Sequence, residues 1–169
     1  VQGITPKGNG SVNLNYRDKK INLFANAGFN SGNYKNKIDL YRKQNDTLYD
    51  QKSINTDNRK SANIKAGADF FINTKNTIGI MASSNFSNNK GNNVSNTPIT
   101  YLPTNTFIKT MQAFNTTPGK QTNANLNLNY RYIDTTGKEI NFDADYGIFR
   151  GEGTSYQRNN FLNANNQLW

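Results

Sequence analysis

From Ala124 to Tyr132, apolar and polar residues alternate without a break. Ala124, Leu126, Leu128, Tyr130 and Tyr132 are separated by Asn125, Asn127, Asn129 and Arg131. A helix would scatter these apolar side chains around its axis, whereas a strand collects them on one side. The same period recurs elsewhere. Val12, Leu14 and Tyr16 share it, as do Ile21, Leu23, Ala25, Ala27 and Phe29. So do Ala62, Ile64, Ala66, Ala68, Phe70 and Ile72, then Ile78, Ile80, Ala82, Ser84 and Phe86. Ile140, Phe142, Ala144, Tyr146 and Ile148 complete the series. No stretch shows a period of 3.6, so the chain reads as all-β, with strands near 11–17, 20–32, 62–72, 77–87, 122–133 and 139–150.

The connections sharpen this reading. Arg17–Lys20, Asn73–Asn76 and Asp134–Lys138 are short and carry the Asn, Asp or Gly that tight turns require. Between them lie longer stretches, at 33–60, 89–120 and from 151 onward. Alternating short and long links predict an antiparallel up-and-down meander of about six long strands, with short turns at one rim and large loops at the other. The runs exceed the usual 5–6 residues of soluble strands and match the length of tilted, bilayer-crossing ones. The run from 20 is expected to continue through Leu40 and Tyr41 and to project past a membrane.

Composition then discriminates between fold classes. Apolar residues make up 34% of the chain, and 32 residues are asparagine. Low hydrophobicity alone would point to disorder, but 9 Tyr and 10 Phe argue against it. A barrel wall with one lipid-facing side and one wet side reconciles the two, because only helices and closed barrels satisfy every backbone group in lipid. No window is apolar enough for a membrane helix. The fold expected is therefore part of a transmembrane β-barrel. The alternative is a soluble or surface-exposed β-sandwich binding or adhesion module, which also alternates.

With no His and no Cys, the chain lacks the nucleophile–His pairs and the usual zinc ligands. No catalytic residue, cofactor or metal is expected. A net charge of +9 would suit nucleic acid. However, Arg17-Asp18-Lys19-Lys20 and Lys35-Asn36-Lys37 are the densest basic runs, and no recognition motif accompanies them. No nucleic-acid partner is expected.

Three stretches carry a family resemblance. They are Gly10–Arg17 with Ile21–Ala25, Ala66–Gly79, and Asn127–Tyr132. They resemble the outer-membrane β-barrel domain of Bacteroidetes TonB-dependent receptor-like proteins. The resemblance runs over most of residues 9–150 and rests on hairpin patterns rather than catalytic signatures. It implies an outer-membrane location and uptake of a bulky siderophore- or glycan-class nutrient through a full barrel with a plug. No plug and no TonB-contacting segment is identifiable. About six strands are too few for a bacterial single-chain barrel. Residues 1–169 are thus expected to be one barrel segment, a fragment of a larger barrel. Its partners would be the lipid bilayer, the unknown ligand and, for the isolated piece, a copy of itself.

Candidate site residues follow from the faces. Lys65, Asp69, Asn125, Asn127, Arg131, Asp143 and Asp145 occupy the polar positions and are expected to line a hydrated lumen, with Lys65 and Asp69 as an ion pair. Asp143 and Asp145 are spaced as acid–base pairs can be, but a wet wall explains them better. In the long connections, Tyr101, Phe107 and Phe114 are the candidate ligand contacts. Tyr16, Phe70 and Tyr132, near the short turns, are placed for an interfacial girdle.

Overall fold

A computed structural model describes residues 5–169. Within them the chain forms seven strands and no helix: β1 (Lys7–Arg17), β2 (Ile21–Gln44), β3 (Thr47–Phe71), β4 (Asn76–Tyr101), β5 (Thr106–Ile133), β6 (Glu139–Gly153) and β7 (Tyr156–Leu162). The first six pair in chain order, each antiparallel to the next, in one sheet. The expected all-β meander is present.

The expected long loops are not. Residues 33–60 form the far arms of β2 and β3, which meet at Asn45 and Asp46. Both turn residues have positive φ, 45° and 59°. This two-residue turn matches the right-handed strand twist, and Asn and Asp tolerate it better than other non-glycine residues. Residues 89–120 likewise form the far arms of β4 and β5, joined through Leu102–Asn105, with Asn105 at φ 52°. Tight turns therefore occur at both ends. The run expected to continue through Leu40 and Tyr41 does so, since β2 reaches Gln44. The other arms carry too few apolar residues for the period-two signal to show, although the backbone ladder is intact.

From 151 to 162 the chain also stays extended, apart from the short break before β7. β7 pairs with β5 over Thr110–Thr116, directly past the stretch that β6 occupies. Gly119 faces Gly153 and Thr116 faces Tyr156, so the register is continuous across the break. The break falls opposite Pro118. Pro118 accepts a bond from the Thr154 N–H at 3.1 Å but has no N–H to return. Pro98 interrupts the β3–β4 ladder in the same way, opposite Asp50.

Side-chain turns close the other rim. The Asn73 Oδ1 accepts the Lys75 and Asn76 N–H groups, both at 2.9 Å. The Asp134 Oδ1 accepts the Thr136 and Lys138 N–H groups at 2.8 and 2.9 Å, with Gly137 supplying φ 85°. These contacts hold the Asp134 carboxyl below the usual aspartate range, the Thr136 side-chain bond contributing most.

The sheet has almost no core. Ile99 and Leu162 are the buried hydrophobic residues. The accessible surface is 12398 Å², against about 8,400 Å² for a folded soluble protein of this mass. A single layer of strands, rather than two packed layers, accounts for the excess.

Candidate functional site

Direct strand partners lie on the same side of a sheet, so the register defines two faces. On one, Leu14, Ala25, Ala66, Ala82, Leu126 and Tyr146 form a row across all six strands. Parallel rows above and below extend the apolar face over 62–70, 78–86, 124–132 and 140–148. These side chains are open to the surroundings: Leu14 is 66% exposed, Ile64 53%, Leu128 47% and Ile140 62%. Tyr16, Phe70 and Tyr132 lie on this face near the short turns, as the girdle reading requires.

The opposite face carries all seven predicted polar residues. Asn26, Lys65, Ser83, Asn125 and Gly147 form one row. Asn22, Asp69, Gly79, Asn129 and Asp143 form another. Arg131 faces Asn141, and Asn127 faces Asp145. Hydrogen bonds run across the strands: Asn22 donates to Asp69 at 3.0 Å, Asn63 to Asn26 at 3.0 Å, and Asn127 to Asp145 at 2.8 Å. Gly79 makes this possible in its row, since a Cβ there would sit 2.8 Å from the Asp69 carboxylate.

One pairing differs from expectation. Among the described residues the ion pairs are Arg59–Asp57 at 2.9 Å and Arg131–Glu139 at 2.8 Å; Lys65 and Asp69 do not pair. Four positions along a strand separate side chains by about 13 Å. Asp69 therefore takes its partner from across the sheet rather than along it.

The predicted ligand contacts are not loop residues. Tyr101 ends β4, while Phe107 and Phe114 lie within β5. Nor do they converge. Tyr101 continues the polar side, whereas Phe114 faces Val94 on the other side and carries the Arg158 guanidinium 4.9 Å from its ring. Ile108 is an extra residue in β5: Ile99 faces Lys109 but Thr100 faces Phe107. This bulge turns Phe107 to the side of Phe114.

A cluster that sequence reasoning missed lies on the polar side just beyond the apolar rows. Lys7 Nζ sits 4.5 Å, and the Arg59 guanidinium 5.0 Å, from the centre of the Tyr34 ring. With Asn9, Asn30 and Asn89 they line an open cleft of about 570 Å³. Its donors and one aromatic ring suit a hydroxyl-rich or anionic ligand. The signal was hidden because Lys7, Tyr34 and Arg59 come from three strands and join only through register. No family model matches the chain, and no curated protein matches it.

Proposed function

We propose that this chain is a stretch of the wall of an outer-membrane β-barrel receptor or transporter of the TonB-dependent type. In this reading it is non-catalytic and takes part in binding or importing a bulky nutrient. The observation that carries the reading is the band of exposed apolar residues, about nine residues tall, continuous across six strands and backed by a polar face. At the usual tilt of barrel strands such a band spans about 20–25 Å, close to the apolar belt of outer-membrane barrels. The large exposed area supports the same conclusion, since water would penalise a patch of this size. The free edge of β1 is consistent with further wall strands, because an unpaired edge in lipid leaves backbone groups unsatisfied. The receptor type rests on the resemblance of residues 10–25, 66–79 and 127–132. The siderophore or glycan class of ligand rests on it too, with the polar cleft at Tyr34 as its best place on this chain.

Sedimentation velocity with circular dichroism, with and without detergent, tests the membrane reading. Folded β structure that requires detergent is the expected result. A folded monomer in plain buffer would instead favour a self-contained soluble sandwich.

A further inference from the structure

The apolar face is not smooth where it meets the polar arms. The last row of the band reads Phe29, Ala62, Phe86, Thr122. A small residue between two rings leaves a dip. The next row on the same side reads Ser31, Lys60, Asn88, Lys120, Glu152, so the one carboxylate in it stands directly across from Lys120 without forming an ion pair. All of these but Ser31 and Glu152 line an open hollow of about 370 Å³, with Phe29, Ala62 and Phe86 as its apolar walls and Lys60 and Lys120 at its polar end. A second hollow of about 420 Å³ adjoins it at Phe86 and runs over Ala66, Ala82 and Ala124.

Charge on this side is one-sided at that height. Lys60, Lys90, Lys120 and Arg150 occupy the rows at and just above the band edge, against the single carboxylate of Glu152. All four cations are exposed, and none forms an ion pair among the described residues. The other rim mixes Asp18, Asp134 and Glu139 with Lys19, Lys20, Lys75 and Lys138. A headgroup layer is about 5–8 Å deep, which is the reach of the first rows beyond the band. Lys60 and Lys120 flank Asn88 in one row, so their Cα atoms are about 10 Å apart, and both flexible arms can meet on one phosphate.

We propose that this hollow binds an anionic phospholipid, its acyl chain lying over Ala62 between Phe29 and Phe86 and its phosphate held by Lys60 and Lys120. The inference rests on the membrane reading above and adds a defined lipid site to it. The amphipathic shape selects a lipid over a free phosphate: the charged end alone is open to water, where two lysines give a small anion little advantage.

The chain purified in neutral detergent is titrated with phosphatidylglycerol or phosphatidylcholine, and retained lipid is counted by native mass spectrometry. The unaltered chain retains phosphatidylglycerol about tenfold better. In the K60Q/K120Q double variant that preference falls to near parity while the circular dichroism is unchanged. A62L fills the dip, keeps both lysines and retains less of either lipid. Glycerol phosphate does not displace the bound lipid. Equal retention of the two lipids by the unaltered chain overturns the site and leaves the membrane reading standing. So does a preference that survives in K60Q/K120Q, or displacement by glycerol phosphate. A chain that folds without detergent and retains neither lipid removes both.

Discussion

The banded half of the sheet and the arms that continue from it share strands, register and hydrogen-bond ladder, yet differ in side-chain pattern. At 124–132 in β5 every second residue is apolar; at 110–120 polar residues occupy both sides, with Met111 and Ala113 on one side and Phe114 on the other as exceptions. The backbone does the same thing in both halves. Under the proposed membrane reading, alternation reports the surroundings of a strand, apolar on one side and wet on the other, rather than the strand itself. A strand wet on both sides has no pattern to betray it.

The sharpest way to break this comparison is to place the same charge in each half on the same side. Leu126→Arg puts a guanidinium in the middle of the band and is expected to cost about 2–4 kcal/mol in detergent or lipid. Val94→Arg, on the same side but in the arms, is expected to change stability by less than about 0.5 kcal/mol. Denaturant unfolding of both variants in one detergent measures the difference. Equal costs would mean that the two halves have the same surroundings.

A smaller effect tests whether the arms are held as a hairpin. Asn45→Val forces a β-branched residue to positive φ and is expected to cost about 1–2 kcal/mol. Hydrogen exchange should rise along 38–52 and stay unchanged at 62–70. Pro118→Val restores a donor opposite Thr154 and should add about 0.5–1.5 kcal/mol, with slower exchange near the β6–β7 break. Loss of stability there would show that the break is needed.

The least of these effects belongs to the turn at Asp134. Its carboxyl is held below the ordinary value of about 3.9 by the Thr136 and Lys138 bonds. A depressed folded pKa stabilises the turn above the unfolded value, and that contribution fades as pH falls through the folded one. NMR titration should find the Asp134 midpoint below that of an ordinary aspartate, with the Thr136 amide shifting in step. An ordinary aspartate midpoint would contradict the turn geometry.

The same comparison shows what was legible in the residues. All six strands of the meander were readable where Leu126, Ile80 or Ala144 alternated with Asn, Gly or Asp, and so was the shared side of Lys65, Asp69, Asn125, Asn127, Arg131, Asp143 and Asp145. Of the arms only the continuation of β2 through Leu40 and Tyr41 was readable; the rest was not, because Asn45-Asp46 lacks the glycine of the commonest hairpin turns and apolar residues are sparse beyond it. Partners across strands were equally hidden. Asp69 meets Asn22 rather than Lys65, and Tyr34 meets Lys7 and Arg59, through a register that no single segment encodes. Phe107 was turned by a bulge at Ile108 that local pattern does not announce.

The central claim is that the apolar band sits in lipid and the arms do not. The chain has no cysteine, so single-cysteine variants along 110–132 of β5 report one position each. Spin labels at these sites, with the chain in lipid vesicles, are relaxed by oxygen in hydrocarbon and by a water-soluble nickel complex outside it. The account predicts oxygen access at 124, 126, 128 and 130, nickel access at 125, 127 and 129, and nickel access on both sides from 110 to 120. Nickel access at Leu126 and Leu128 equal to that at Asn127 would contradict it.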